Sequence, residues 1–306
     1  MPLDDLQKAV LAVLCRNRTP SSFFAGGSVL NRHGFRLSDD QDIFHGENVD
    51  VVDTAERDRK LLLDAGYSVE LSKQFEGFIE MYVGTAELGR TKVQWVEAGS
   101  WCFFAPVPDP DFGYRLHIVD LAVNKVLAAG GRREVRDLID LALIHRYVMP
   151  LWQALWAAPG KDEKWSPLSL VEQISKRSNL RQEDIDDVIA SLVQLSAPEI
   201  GRIIFQALEE ARDVFAKLPD DTAGTLSLDV DGRLISPLAA DDKGHARIIR
   251  PRRGGSWPSG PNIDHMLIEG LIDRFGHDGA KLLADDTIAA FADGQTAAKD
   301  SSRKRI

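Results

Sequence analysis

Two glycines and a serine, Gly26-Gly27-Ser28, stand between an apolar stretch that reads as a short strand, Phe23 to Ala25, and a segment, Val29 to His33, that reads as the start of a helix stopped by Gly34. A strand that turns on adjacent glycines into a helix lets backbone N–H groups come close to an anion, and Ser28 adds a hydroxyl donor, so the stretch reads as a phosphate cradle. Downstream, Asp40 and Asp42 alternate with Gln41 and Ile43. Side chains of a strand alternate between its faces, so a strand here puts both carboxylates on one side. Two neighbouring carboxylates suit one or two Mg²⁺ ions beside a bound triphosphate. Taken singly, Gly-Gly-Ser is also an ordinary tight turn, and Asp-x-Asp is also a solvated strand edge. Their conjunction, in this order, is what points to phosphate chemistry.

The rest of the chain divides by texture. Leu3, Leu6, Val10, Val13 and Leu14 recur at helical spacing and predict an amphipathic helix over 3–15, ended by Asn17 to Pro20. A helix from about Asp53 to Ala65 leads into three strand candidates, Tyr67 to Leu71, Gly77 to Val83 and Thr91 to Glu97. Pro106, Pro108 and Pro110 remove ladder donors, so this stretch is expected to be a connector rather than a strand. From Asp120 the periodicity is helical, with Leu121, Val123, Val126 and Leu127, then Val135, Leu138, Ile139, Ala142 and Leu143 beyond Gly130-Gly131. Further helices are expected over 168–177, 182–195 and 197–217, then a hairpin from Leu226 to Ser236 about an Asp231-Gly232 turn. Two short helices near 263–275 and 278–292 and a disordered tail from Gln295 complete the reading. The expected domains are residues 1–118, an α/β unit, and 119–295, mainly helical with a small hairpin near 225–250, with 296–306 as tail.

Composition narrows the function classes. The 306 residues are 44% hydrophobic and 27% charged, enough for a sizeable core. With 37 Lys and Arg against 47 Asp and Glu, the net charge of -10 excludes a chain that grips phosphate backbones over its whole surface. Nucleic-acid binding would need a local patch, and Lys243, Arg247, Arg250, Arg252 and Arg253 form the densest basic run, readable as a steering surface for RNA or as a solvated hairpin edge. Cys15 and Cys102 are too few for a disulfide framework or a zinc site, and no targeting or membrane-spanning stretch is read. The expectation is a reduced, cytoplasmic setting with no membrane partner. The seven histidines show no metal-ligand spacing, His45 being the one to watch because it follows the Asp pair, and Trp152 and Trp156 read as core.

Ala25-Gly26-Gly27-Ser28-Val29-Leu30, followed by Arg36-Leu37-Ser38-Asp39-Asp40-Gln41-Asp42-Ile43-Phe44, resembles the first motif of the AbiEii/AbiGii-type nucleotidyltransferase toxins, within the DNA polymerase β superfamily. A second match, Lys125-Val126-Leu127-Ala128-Ala129, then Arg133, then Arg136-Asp137-Leu138-Ile139-Asp140-Leu141, is similar to that family's lysine-bearing helix followed by Arg-Asp-x-x-Asp-Leu. The two matches span roughly residues 20–145, and beyond them the agreement is one of helical character.

The resemblance implies an α+β fold: an N-terminal polymerase-β-like mixed sheet with helices, followed by a mainly helical C-terminal region. It implies attack of an acceptor hydroxyl on the α-phosphate of an NTP with release of pyrophosphate, the acceptor being RNA, often tRNA, or a protein. It also implies the toxin of a toxin–antitoxin or phage-defence system, neutralised by an antitoxin protein. On this reading Asp40 and Asp42 hold Mg²⁺ or Mn²⁺, Gly26, Gly27 and Ser28 hold the terminal phosphates, and Lys125 approaches the triphosphate. Asp137 and Asp140 orient Lys125 or Arg136 or position the acceptor hydroxyl, Arg36 pairs with Asp137 or touches phosphate, and Arg136 is a further phosphate contact.

One position departs from the pattern. The superfamily draws a third carboxylate from a later strand of the sheet, where this chain has Gln94. Glutamine binds Mg²⁺ weakly and is no base at neutral pH. Glu97 lies an odd number of residues away and so falls on the opposite face of a regular strand, while Glu80 on the neighbouring strand is another substitute. Two rival readings follow: a nucleotide-binding or protein-interaction module without turnover, for which Gln94 is the motive, and nucleotide transfer to a small cationic molecule such as an aminoglycoside, which an acidic cleft suits.

Overall fold

The computed structural model describes residues 3–32, 36, 38–46, 49–97, 101–186, 188, 196–228, 234–236 and 247–255. Its contacts divide the chain into two units, Met1–Asn124 with the stretch beginning at Ile249, and Lys125–Ile248, with the boundary at 124/125 inside a helix.

The first unit opens with α1 (Asp5–Leu14), capped by Asp4, which accepts from Gln7 N while Gln7 reaches back to the Asp4 backbone. Its buried face carries Leu6, Val10, Leu11 and Leu14, the spacing read from sequence. Strand β1 (Ser22–Ala25) runs directly into α2 (Gly26–Leu30), and β2 (Asp40–His45) returns antiparallel to β1. Helix α3 (Val51–Asp64), capped by Asp50, leads to the meander β3 (Ser68–Phe75), β4 (Phe78–Thr85) and β5 (Gly89–Glu97). A short β6 (Trp101–Cys102) precedes β7 (Val107–Asp109) and β8 (Gly113–Arg115).

Seven of these strands form one mixed sheet in the order β3-β4-β5-β2-β1-β8-β7, with β2–β5 and β1–β8 parallel and the other pairs antiparallel. The stretch expected to be a connector is therefore strand β7. Proline is tolerated there because β7 is the outermost strand, whose free side needs no donor. One face of the sheet buries Ile43, Ile79, Met81, Val83, Val93 and Trp95 against α1 and α3. Within this core Asp58 of α3 accepts from Arg18 Nη2, Asn17 Nδ2 and Trp95 Nε1, a buried ion pair joined by two neutral donors.

Helix α4 (Ile118–Gly131) starts in the first unit, where Asp120 accepts from the backbone N–H groups of Phe103 and Phe104 at 2.9 Å each. The second unit takes up its end and adds α5 (Val135–Tyr147), α6 (Leu151–Ala157), α7 (Pro167–Arg177), α8 (Gln182–Asp186) and α9 (Ala197–Phe215). Arg177 donates to the carbonyls of Ala129 and Gly130, satisfying orphan acceptors at the end of α4. Trp152 and Trp156 are core residues, Trp156 meeting Phe215 at 5.0 Å between ring centroids. Leu226–Leu228 pairs antiparallel with Leu234–Ile235, as expected of a hairpin. The architecture is thus α+β, with the mixed sheet in the first unit and mainly helices in the second.

The Asp231-Gly232 turn, residues 189–195 of the expected helix, His33, Gly34, Lys243, both helices near 263–292 and the tail lie outside the described residues. Among the described residues no helix is long and apolar enough to cross a membrane, and Cys15 and Cys102 are free thiols.

Candidate active site

Strand alternation does place Asp40, Asp42 and Phe44 on one face of β2, while Gln41, Ile43 and His45 enter the core side. Register then sets their neighbours. Asp42 lies opposite Ala25 on β1 and opposite Gln94 on β5, Gln94 lies opposite Glu80 on β4, and Glu80 lies opposite Lys73 on β3. Asp40 lies opposite Lys92, whose Nζ is 3.6 Å from Asp40 Oδ2. The sheet face away from α1 and α3 therefore carries two aspartates with a lysine, a glutamine and a glutamate in the adjoining rows.

The glycine turn closes over this acid pair. Gly26 has φ +71°, a left-handed backbone that L side chains avoid, and a β-carbon there would sit 1.8 Å from Asp42 Oδ2. A β-carbon on Gly27 would sit 2.9 Å from Arg36 Nη2 and 3.2 Å from Ser38 Oγ. The absence of side chains at 26 and 27 thus lets the turn lie against the Asp42 carboxylate on one side and the buried Arg36 guanidinium on the other. Gly26, Gly27, Arg36, Asp40 and Asp42 come together in the first unit. Ser28 is fully buried, and its hydroxyl donates to Ala25 O at 3.4 Å, so here it supports the turn from within. Helix α2 spans only five residues, which gives it little dipole to offer an anion.

The second motif forms a cluster of its own in the second unit. Lys125 Nζ lies 2.9 Å from Asp137 Oδ1 and 3.0 Å from Asp140 Oδ2, and Arg132 Nε lies 2.7 Å from Asp137 Oδ2. Both carboxylates are fully buried, and Lys125 is 9% exposed. Burial works against ionisation of Asp137, but hydrogen bonding to Arg132 and the charge of Lys125 outweigh it and hold its carboxyl below the usual range. Lys125 and Arg132 thus face the Asp137 and Asp140 carboxylates. Arg136 extends beside Glu134, with Nε 3.9 Å from its carboxylate.

Of the substitutes for a third carboxylate, Glu97 falls on the core-side face with Trp95 and stands beside Gly77, away from the acid pair. Glu80 shares the face of Asp42 and lies one strand beyond Gln94. Its charge is held by neighbours: burial opposes ionisation, but Gln94, Ser72 and Lys73 overcome it and lower the pKa. His45 is buried on the opposite face, where burial and the nearby Arg18 charge push its pKa down to about 4. Lys92 was not singled out from sequence. Its signal is its place on β5 two residues before Gln94, which strand pairing turns into a position beside Asp40. Of the basic run, Arg252 and Arg253 pair with β6 opposite Cys102 and Trp101 and are exposed.

Whether a divalent cation fits can be judged from the donors. Among the described residues no three His, Cys, Asp or Glu side chains gather into a metal cage. Mg²⁺ needs none, since it commonly binds through one or two carboxylates and the oxygens of a bound phosphate. Two aspartates on one face, one of them with its carboxylate in the space a β-carbon on Gly26 would fill, match that requirement.

No protein-family model matches the chain, and no curated protein matches it. Among solved structures it is similar to MenT4, a nucleotidyltransferase toxin from Mycobacterium tuberculosis, at 16% identity over 70% of this chain and 83% of that one, with a TM-score of 0.50. JHP933 from Helicobacter pylori is also similar, at 15% identity over 69% of this chain and 93% of that one, with a TM-score of 0.41. The likeness to MenT4 shows the fold: this chain has a nucleotidyltransferase fold, the one implied by its two motifs.

Proposed function

We propose that the protein is a Mg²⁺-dependent nucleotidyltransferase of the AbiEii toxin type. It moves an NMP from an NTP to a hydroxyl of RNA, tRNA or a protein, and an antitoxin partner restrains it. The observation that carries this reading is the Asp42 carboxylate lying against the Gly26 turn, with Asp40 on the same strand face. A phosphate chain on the turn would meet both aspartates.

In the reaction, the acceptor oxygen forms a bond to the α-phosphorus while the bond to the bridging oxygen of the β-phosphate breaks, and pyrophosphate leaves. The hydroxyl proton passes to solvent or to a carboxylate of the pair; Gln94 cannot take it. Mg²⁺ or Mn²⁺ bound at Asp40 and Asp42 would neutralise the triphosphate and favour the attacking oxygen. The chain's own contribution is positional. The glycine turn admits the phosphates, Arg36 lies beside it with a fixed positive charge, and Lys92 offers a mobile one next to Asp40. Lys125, held by Asp137 and Asp140, is assigned a role in activity by the second motif.

Incubation with labelled NTPs, Mg²⁺ and total RNA or cell lysate is expected to label a macromolecule, and Asp40→Ala with Asp42→Ala to abolish the label. Labelling that survives the double change refutes the site. Gln94 supports a second reading, a nucleotide-binding module without turnover; it predicts nucleotide binding that needs Asp42 and no labelled product with any acceptor.

A further inference from the structure

Asp42, Gln94, Glu80 and Lys73 form one row across four strands. Within it, Gln94 Nε2 donates to Glu80 Oε2 at 2.7 Å. Ser72 Oγ donates to Glu80 Oε1 at 2.9 Å, and Lys73 Nζ lies 3.3 Å from the same oxygen. Glu80 is 2% exposed, so each of its oxygens is occupied in a place where exchanging a donor for water is costly. An acceptor fixed in this way decides which end of the neighbouring amide faces it. The planar amide of Gln94 turns its NH₂ to Glu80 and its carbonyl oxygen away, and among the described residues Gln94 Oε1 accepts no hydrogen bond.

We propose that Glu80 is a positioning residue: it locks the Gln94 amide with Oε1 outward, as a neutral ligand that joins Asp40 and Asp42 in holding a divalent cation with its nucleoside triphosphate. The inference rests on the function proposed above and gives Gln94 a part in it. Amide oxygens are ordinary ligands of hard cations, and a site with two carboxylates and one amide leaves the cation more of its charge for the triphosphate than three carboxylates do. The orientation matters because an unlocked amide can present its NH₂ instead, and a partly positive NH₂ repels a cation. Outer residues that orient ligands in this way commonly change metal affinity when replaced.

The test is Mn²⁺ binding to the full chain in the presence of a non-hydrolysable NTP analogue, read by electron paramagnetic resonance, with unfolding curves confirming that each variant folds. Glu80→Met removes the acceptor at similar size and is expected to weaken Mn²⁺ binding about 10- to 100-fold. Glu80→Gln has one carbonyl for two sets of donors; with Ser72 and Lys73 holding it, its NH₂ faces Gln94 and turns that amide over, so Mn²⁺ binding is expected to weaken here too. The exchange variant, Glu80→Gln with Gln94→Glu, reverses the polarity of the bond, places a carboxylate at 94 and is expected to bind Mn²⁺ more tightly than wild type. Wild-type affinity in Glu80→Met, or no gain in the exchange variant, overturns the assignment; should Glu80→Met fail to fold, the exchange variant decides. Asp42→Asn separates the two claims. If it binds Mn²⁺ as wild type does, or if wild type binds none, the function proposed above fails and this inference with it. If Asp42→Asn alone loses Mn²⁺ while Glu80→Met keeps it, only this inference fails.

Discussion

The carboxylate of Asp42 occupies the space that a β-carbon on Gly26 would take, 1.8 Å from its Oδ2. The two residues belong to neighbouring antiparallel strands and to the turn that leaves one of them, so the acid and the turn are positioned together by the β1–β2 pairing. A change at either residue is a change at both.

Gly26→Ala is therefore expected to abolish nucleotide transfer, by about 100-fold or more, because Asp42 must move by about an ångström to admit the methyl group. Backbone strain alone does not explain such a loss, and Gly89 supplies the control. It has φ +77° and nothing within 4 Å of a β-carbon, so Gly89→Ala carries a similar strain of about 1 kcal/mol without touching the acid pair. Comparing transfer rates and unfolding midpoints of the two variants separates the effects. Equal activity in both contradicts the arrangement.

The Lys125 cluster yields a stability prediction in the second unit. Lys125→Met removes an ammonium from between two buried carboxylates and is expected to cost about 3 kcal/mol, seen as a lower urea midpoint at neutral pH. Lys125→Arg keeps the charge and should lose much less. Because the folded-state pKa of Asp137 is depressed, its contribution is present above the ordinary carboxylate range and lost as pH falls through the folded value. The gap between wild type and Lys125→Met should accordingly narrow in acid.

His45 sets a separate acid limit in the first unit. Its folded pKa of about 4 lies below the ordinary 6.5, so between these values the unfolded chain binds a proton that the folded chain refuses. Stability is full above pH 6.5, declines as pH falls towards 4 and then levels for this group, a loss of about 3 kcal/mol. Unfolding midpoints measured across that window should slope in wild type and flatten in His45→Leu. An unchanged slope in the variant assigns the acid lability elsewhere.

The parts of this site that could be read from sequence are those governed by local periodicity. Asp40 and Asp42 share a face because a strand alternates, and four residues suffice to see it. Glu80 beside Gln94 is different: it depends on the register of β4 against β5, which core pairs such as Ile79 with Trp95 fix from the other face. The same applies to Lys92 beside Asp40. Asp58 on α3 looks like a solvated acid until Asn17, Arg18 and Trp95 converge on it from distant parts of the chain. The β7 strand was hidden by Pro108 and the prolines that flank it, and the cost of Pro108 vanishes at a sheet edge that local sequence does not reveal.

Transfer of a nucleotide from an NTP fixes the fate of its phosphates: the α-phosphate goes to the acceptor, and the other two leave as pyrophosphate. The wild-type chain is incubated with Mg²⁺, total RNA or lysate, and NTP labelled in parallel at the α- or the γ-phosphate. Nucleotide transfer puts α-label on a macromolecule and γ-label in pyrophosphate, and Asp40→Ala with Asp42→Ala is expected to give neither. Gamma label on the acceptor, or no transfer from either position with any NTP, contradicts it.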